Sequence, residues 1–425
     1  MNFFKNIVGK ELFRVSSLNS ISVLIKIVVG FVSSKMLAVF VGPSGLALVG
    51  NLRNFITSIE SFGTLGFQNG IIKYVAEYEN DDVKLKKLLS TIVISIVFAV
   101  LVISSFLYFF SSYLNDEIFG SNFQYKSTFT VFALSLPWYV ASIFLVSVLN
   151  GLGDFKKVIR ISILGNIIGL FLSLILIYYY QTLGALLSVI FAPSFLFFIA
   201  LFHINSKLSI FRNVSFTSFD FSIIKNLSQY SLMALVSSVF GPLLFLSIRN
   251  SIIEKLGIEK AGYWEAMSRI SSYYMLFLGT ILTVYFLPKL SKAKGNKETK
   301  IIFWTYFKGI FPFFAIGLLV LYVLKDYIIP IIFTREFAPI SDLFFWQLIG
   351  DLLKALSLIL GYQFFAKKMT KAFIFFELFS LSVLWFSSNY LIKIYDIEGI
   401  VMAHALTYAI YLIVLLIYFR KIFYR

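Results

Sequence analysis

The chain has 425 residues, of which 59% are hydrophobic, 19% aromatic and only 14% charged, and its mean hydropathy is +0.88. Soluble globular domains carry roughly 25% charged residues, so this composition excludes an ordinary soluble protein and predicts a polytopic membrane protein. The absence of cysteine excludes disulfides, thiol catalysis and thiolate metal sites. His203 and His404 lie far apart without metal-ligand spacing, and we expect neither a metal nor another cofactor.

Continuously apolar runs follow one another along the whole chain. Each has about 20 residues, the length that a helix needs to cross ~30 Å of hydrocarbon, and none alternates as barrel strands do. The sequence therefore predicts an all-α polytopic membrane protein with twelve transmembrane helices. The predicted spans are residues 18–41, 44–66, 88–111, 128–149, 159–180, 183–203, 229–251, 262–287, 302–324, 342–366, 371–391 and 399–419.

Lysine and arginine are distributed unevenly between the predicted loops. If the N-terminus is cytoplasmic, 24 of the 37 basic residues fall in cytoplasmic segments and six in outer loops. Cytoplasmic loops of membrane proteins carry such an excess, so we expect both termini in the cytoplasm. The same bias accounts for the net charge of +16 without a nucleic-acid partner. Lys5, Lys10 and Arg14 precede a first span that is too long and too charged for a cleavable signal peptide.

The second half of the chain repeats the first. With Arg53 aligned on Arg269, three further pairs match at identical spacing: Gly63 with Gly279, Thr64 with Thr280 and Lys73 with Lys289. Gly184 and Gly399 correspond at the start of the last span of each half. We therefore predict two six-helix bundles, residues 1–203 and 229–425, joined by a cytoplasmic linker, residues 204–228. Bundles with the same orientation form a parallel repeat, a plan in which substrate binds near the midplane at the repeat interface.

Ten ionisable residues interrupt the apolar spans. Each costs at least ~2.5 kcal/mol at the helix centre, so such residues normally face a wet cavity or a charged partner. Cations exceed acids by two, which favours an anionic substrate, and clusters of arginine or lysine bind diphosphates well. The cations are Lys26, Lys35, Arg53, Arg249, Arg269 and Lys354, and the acids are Glu60, Glu265, Asp351 and Glu377.

Several of these charges also have a purely structural interpretation. Gln347, Asp351 and Lys354 form one polar stripe at i, i+4 and i+7, which indicates either a substrate site or an ion pair that holds helices together. Glu265 and Arg269 are spaced i, i+4 and can pair with each other. Lys35 and Arg249 lie nearer the outer surface, where long side chains reach back to water.

Four stretches of the chain have a recognisable pattern: VGPSG at 41–45, GIIKYVAEY at 70–78, YFLPKLS at 285–291 and WQLIGDLLK at 346–354. Together they resemble the Wzx flippases of the multidrug/oligosaccharidyl-lipid/polysaccharide exporter superfamily, in particular the enterobacterial common antigen and O-antigen branch. The resemblance implies a MATE-like fold of twelve helices. It also implies transfer of an undecaprenyl-diphosphate-linked oligosaccharide from the cytoplasmic to the periplasmic leaflet of the bacterial inner membrane by alternating access.

The resemblance also ranks the charged residues. Six fit positions at which charges are expected in the family, and we expect them to bind substrate: Lys26, Lys35, Arg53, Arg249, Asp351 and Lys354. Glu60 and Arg269 depart from the pattern together, so we hypothesise that they pair with each other or couple transport to an ion. Membrane lipid and the lipid-linked glycan are the expected partners, with a polymerase and glycosyltransferases of the same pathway.

Two other functional classes remain open at this stage. A multidrug or cation antiporter of the same superfamily would share the architecture but favours an acidic cavity. A membrane polymerase or glycosyltransferase would be an enzyme and would carry a large outer loop or an acidic metal-binding loop, whereas the acidic doublet here is only Asp81–Asp82. We therefore expect a transporter that makes and breaks no covalent bond, without catalytic or metal-binding residues.

Overall fold

The computed structural model describes residues 10–204 and 214–423, and within these ranges the secondary structure is helical, without strands. This confirms the predicted all-α fold. Lys5 and the linker residues Lys207 and Arg212 lie outside the described residues. The chain divides into two compact units. Unit 1 contains Met1–Ser33 and Leu48–Leu243, and unit 2 contains Ser34–Ala47 and Leu244–Arg425. The division into bundles 1–203 and 229–425 with linker 204–228 stays a prediction.

The helices up to residue 235 include two short additions to the predicted spans, α3 and α5, and α8 begins within the predicted linker. In unit 1, α6 packs along α7 and against α4. The helices are α1 (Lys10–Phe40), α2 (Gly42–Gly63), α3 (Gln68–Tyr78), α4 (Asp82–Phe109), α5 (Ser111–Phe119), α6 (Lys126–Gly151), α7 (Phe155–Ile204) and α8 (Phe221–Leu235), with a 3₁₀ turn at Phe216–Ser218 and a π turn at Val236–Phe240.

In unit 2, α15 and α16 both pack along α17. The remaining helices are α9 (Gly241–Leu256), α10 (Ile258–Ile281), α11 (Leu287–Lys292), α12 (Asn296–Gly309), α13 (Phe311–Val323), α14 (Lys325–Ile332), α15 (Ile340–Ala366), α16 (Thr370–Tyr395), α17 (Glu398–Tyr418) and α18 (Arg420–Phe423), with a π turn at Leu282–Phe286 and a 3₁₀ turn at Arg335–Phe337.

Ten helical segments in the described ranges are long and apolar enough to span a membrane. One of them, α7, has 50 residues and is interrupted at Gln181, where the backbone is non-helical, so it provides two of the predicted spans. The 22-residue helix α2 is outside the ten; it contains Arg53 and Glu60. With these two adjustments, each of the twelve predicted spans corresponds to a helix, and the chain is a multi-pass membrane protein.

The segment between the second and third predicted spans contains the helix α3 and the start of α4. Asp81 caps α4: its carboxylate accepts a hydrogen bond from the backbone N–H of Lys84 at 3.0 Å, as N-cap residues do. This bond, together with the nearby Lys84 ammonium, lowers the pKa of Asp81. The acidic doublet is therefore a helix-capping feature.

The turn before the last span has the same geometry in both halves of the chain. Gln181 and Asp396 adopt positive φ angles of 47° and 55°, and a glycine follows three residues later in each case, Gly184 and Gly399. A Cβ atom on Gly184 would lie 1.8 Å from the carbonyl oxygen of Leu176, and one on Gly399 would lie 2.3 Å from that of Leu391. The predicted equivalence of the two glycines is thus matched by their structural role: each lets two helices meet backbone to backbone.

We predict that Gly184→Ala and Gly399→Ala each destabilise the protein, because the added methyl group collides with a backbone carbonyl that cannot move aside. Overpacking of this kind costs about 1–3 kcal/mol. Thermal unfolding of the purified variants in detergent measures the effect. Gly317→Ala in α13 is the matched control, since a Cβ there meets nothing within 4 Å. An unchanged unfolding midpoint for both turn variants would contradict the close-approach argument.

Candidate functional site

Four polar side chains surround the carboxylate of Asp351 in unit 2. Asp351 is fully buried, and its Oδ2 accepts hydrogen bonds from Ser271 Oγ at 2.7 Å, Tyr274 OH at 2.5 Å and Gln347 Nε2 at 3.1 Å. His404 Nε2 lies 3.0 Å from Oδ1. Four polar groups from α10, α15 and α17 therefore converge on one carboxylate. We call these five residues the Asp351 cluster.

The local sequence explains how these groups meet. Gln347 and Asp351 are one helical turn apart on α15, so their side chains share a face. Gly350 makes room for the imidazole, since a Cβ at this position would lie 2.3 Å from Cδ2 of His404. Ser271 and Tyr274 come from one turn of α10. Gln347 and Asp351, two members of the predicted stripe, therefore contact each other within one polar cluster, and the substrate role of the stripe stays a prediction.

Lys354 takes a different position from the one expected of an ion pair. Its ammonium lies 5.3 Å from the centre of the Tyr408 ring, and within the described part of the chain the ion pair of Asp351 within 4 Å is with His404. The sequence-based prediction of a direct Asp351–Lys354 ion pair is therefore wrong, because the two groups form no contact within 4 Å. Lys354 is half-buried and still interacts electrostatically with Asp351 and with Glu377 of α16. Its ammonium therefore lies next to an aromatic face, and no ion pair within 4 Å is formed with the residues that the structure describes.

A second charged cluster in unit 2 contains two arginines and one glutamate. Arg249 Nη2 donates to Glu265 Oε2 at 2.5 Å, and Arg269 Nε donates to Glu265 Oε1 at 3.0 Å. All three side chains are almost completely buried, and the Arg249 guanidinium lies 5.1 Å from the centre of the Trp264 ring. This arginine triad carries one net positive charge. The predicted Glu265–Arg269 pair is confirmed.

The expectation that Arg249 extends toward water is wrong, because only 2% of the residue is exposed. The sequence does not reveal the partner of Arg249, because Glu265 lies 16 residues away and on a different helix, so no local spacing links the two.

Lys35 is also held by protein atoms. Its ammonium donates to the carbonyl oxygens of Pro330 at 2.8 Å and Phe333 at 2.5 Å, at the end of α14, where helix carbonyls lack internal partners and attract cations.

The predicted charges of unit 1 are less enclosed. Lys26 is exposed and Arg53 is half-buried. Glu60, also half-buried, accepts hydrogen bonds from Tyr139 OH at 2.8 Å and Gln68 Nε2 at 3.4 Å. Glu60 and Arg269 each have partners inside their own unit, so their hypothesised pairing stays a prediction. Glu60 thus lies in a hydrogen-bonded environment, and the substrate roles of Lys26 and Arg53 stay predictions.

Sequence reasoning missed the importance of two residues. His404 contacts Asp351, which lies on another helix and 53 residues away in sequence, so no local pattern predicts this partner. Tyr274 was not singled out at all, because one tyrosine among 24 carries no signal. His203 is likewise satisfied, with Nδ1 2.9 Å from the carbonyl oxygen of Ile199. Within the described ranges, no three His, Asp or Glu side chains are grouped as metal ligands.

We predict that Glu265→Gln strongly destabilises the protein. Removing the carboxylate leaves two buried guanidiniums facing each other, and breaking a buried ion pair by removal of one partner costs about 3–5 kcal/mol. Chemical or thermal unfolding of the purified variant provides the measurement. Glu254→Gln, an exposed substitution on α9, is the control and should be nearly neutral. Equal stabilities for the two variants would show that the arginine triad is not structural.

The sequence matches the model of the family described as "Polysaccharide biosynthesis protein" over residues 12–294. It is 28% identical over 409 residues to proteins named "Lipid III flippase" from Escherichia coli (strain K12) and from Shigella flexneri, with 94% of this chain and 96% of each relative covered.

The fold is similar to that of solved transporters. An inward-facing MATE family multidrug resistance transporter of the MOP superfamily gives a TM-score of 0.77 at 12% identity, covering 93% of this chain and 94% of that one. The lipid II flippase MurJ in an inward closed conformation gives 0.73 at 16% identity, covering 96% and 90%. These likenesses confirm the MATE-like fold. Because the family model matches well over half of the chain, this protein belongs to the polysaccharide biosynthesis protein family.

Proposed function

We propose that this protein is a flippase for an undecaprenyl-diphosphate-linked oligosaccharide, which it moves from the cytoplasmic to the periplasmic leaflet of the bacterial inner membrane. The observation that carries the proposal is the 28% identity to lipid III flippases over 94% of the chain. A likeness that extends from end to end concerns the whole transporter and not a shared module. Both termini are cytoplasmic in this proposal, in line with the distribution of lysine and arginine.

Among the six proposed substrate-binding residues, the five cations divide into two groups by their environments. Lys35 bonds to backbone carbonyls at the end of α14, and Arg249 bonds to Glu265 of α10. Their main contribution is therefore to position these two helices. Lys26, Arg53 and Lys354 are exposed or half-buried. We therefore assign the diphosphate contacts to these three, since guanidinium and ammonium groups donate strong charge-assisted hydrogen bonds to phosphate. Tyr408, beside Lys354, adds an aromatic face for a sugar ring.

Transport in this proposal needs no covalent chemistry. The protein alternates between states open to either side of the membrane, and the cations replace the water that the diphosphate loses. Asp351 then acts through its neighbours: its charge contributes to the electrostatic environment of Lys354, and its contact with His404 provides a place where a coupling proton can bind. Glu60, bonded by Tyr139, is the second candidate for coupling, and Arg269 supports Glu265. A polymerase and glycosyltransferases would act before and after this step.

We predict that Lys26→Ala, Arg53→Ala and Lys354→Ala each reduce surface glycan at least tenfold when expressed in a flippase-null strain. The loss follows because each variant removes a proposed contact to the diphosphate, and a charged hydrogen bond contributes roughly 1.5–3 kcal/mol. The assay measures surface glycan at matched membrane abundance, together with accumulation of the lipid-linked unit inside.

Lys371→Ala is the matched control, because Lys371 is an exposed lysine at the start of α16, and it should retain full surface glycan. Wild-type amounts of surface glycan in all three variants would show that these cations do not contact the transported diphosphate. A wild-type chain that fails to restore glycan, while conferring resistance to cationic drugs, would overturn the proposed function in favour of a drug exporter.

A further inference from the structure

Unit 1 contains a long groove whose lining residues come from four helical segments. Its volume is 500 Å³. The lining includes Val29 and Ser33 of α1, Val146 of α6, residues 158–173 of the first part of α7, and residues 192–196 of the second part. We call this the unit-1 groove. Val158 and Ser173 are fifteen residues apart, about 22 Å at 1.5 Å per residue, so the groove follows the helix axis for most of a membrane thickness.

The walls of the groove are mostly apolar, and three of their four polar side chains form hydrogen bonds within the protein. Ser162 Oγ accepts a hydrogen bond from Ser22 Oγ at 3.2 Å, and Asn166 Nδ2 donates to the carbonyl oxygen of Ser162 at 2.7 Å. Ser173 Oγ donates to the carbonyl oxygen of Gly169 at 2.7 Å. Because these polar groups already bond to protein atoms, they offer few hydrogen bonds to a sugar or a polar drug. The other lining side chains are aliphatic or small, which suits a flexible hydrocarbon chain.

Small residues let the two parts of α7 pack closely beside the groove. Gly165 lies against Leu196, with only 2.3 Å between a hypothetical Cβ and Leu196 Cδ1, and Gly169 faces Ala192 at 3.2 Å. A larger residue at Gly165 or Gly169 would therefore collide with the second part of α7 and change the shape of the groove wall.

One proposed substrate cation shares the α1 face that borders the groove. Ser22, Val29 and Ser33 are spaced so that they lie on one face of α1, and Lys26 falls on the same face, four residues after Ser22 and three before Val29. Ser22 bonds to α7, and Val29 and Ser33 line the groove. Lys26 is exposed at the level of this groove, where its charge complements a phosphate attached to a hydrocarbon chain.

From this arrangement, and building on the proposed function, we infer that the unit-1 groove binds the isoprenyl chain next to the diphosphate of the lipid carrier, while Lys26 pairs with the diphosphate. The groove thus provides a track for the first prenyl units along α1 and α7. The isoprenyl chain then lies against the protein and not in bulk lipid. Selectivity for a polyprenyl diphosphate then comes from an apolar groove and a cation on the same helix face.

The test is photocrosslinking of the full-length protein in phosphatidylcholine nanodiscs. The probes are a polyprenyl diphosphate with a diazirine near its diphosphate end and the matching polyprenol without phosphate. We expect mass spectrometry to place the adducts on residues 29–33, 158–173 and 192–196. Ser173→Leu and Ser33→Leu, which fill the groove, should lower labelling by both probes at least fivefold. Lys26→Gln should lower labelling by the diphosphate probe at least fivefold and leave that by polyprenol unchanged.

Ser105→Leu is the matched control, because Ser105 is exposed on α4 away from the groove lining, and its labelling should equal that of the wild type. Thermal unfolding identifies any variant that fails to fold, and two filling variants keep the test independent of either one. Unlabelled polyprenyl diphosphate and phosphatidylglycerol serve as competitors of the diphosphate probe. Three results would overturn the inference: adducts elsewhere in the protein, an equal loss of labelling in Ser105→Leu, or competition by phosphatidylglycerol at the concentration at which polyprenyl diphosphate competes.

The flippase-null assay separates this inference from the proposed function. Wild-type chain that restores surface glycan but gives no adducts in the groove would refute the groove while leaving the flippase function intact. Groove adducts in a wild-type chain that restores no glycan would refute the function and support prenyl binding at the groove.

Discussion

Unit 2 depends on the burial of one carboxylate. Moving a charge out of water costs several kcal/mol unless hydrogen bonds or opposite charges replace the lost solvent. Asp351 meets this requirement with donors from three helices, α10, α15 and α17, so the carboxylate can stay buried only while those helices keep their positions. Gly350 and His404 belong to the same constraint, because the imidazole reaches the carboxylate through the space that the glycine leaves. A change of charge in this cluster therefore directly alters how the three helices pack.

The other intramembrane charges divide by the same physical criterion. In the arginine triad and at Lys35, protein atoms replace water, and these cations stabilise helix positions. Lys26 and Lys354 differ, since Lys26 is exposed and Lys354 lies over an aromatic ring instead of forming a short ion pair. A flippase needs both kinds: fixed pairs that keep the helices rigid, and accessible cations whose interactions can pass from water to a diphosphate and back. In our proposal, the unit-1 groove beside Lys26 binds the apolar chain of the lipid carrier.

The fold was largely predictable because membrane spans follow from local composition. Twelve apolar runs predicted the helices, and the repeat identified Gly184 and Gly399, whose shared turn geometry the structure shows. The site was less predictable. Spacing along one helix located Asp351 with Gln347, and Glu265 with Arg269, but Arg249 and His404 find their carboxylates on other helices, far away in sequence. Helical periodicity contains no information on which helices become neighbours, and so Arg249 was wrongly expected at the surface.

We propose that this chain transfers a diphosphate-linked glycan across a bilayer, and transport by the purified protein tests this directly. Proteoliposomes would carry a short-chain polyprenyl-diphosphate oligosaccharide, and a membrane-impermeant glycosidase would report its arrival in the outer leaflet. Our account predicts glycan cleavage beyond the fraction initially exposed, at a rate well above that of protein-free vesicles, with no comparable acceleration for a fluorescent phosphatidylcholine. Glycan transfer at the protein-free rate, in vesicles that contain folded protein, would contradict it.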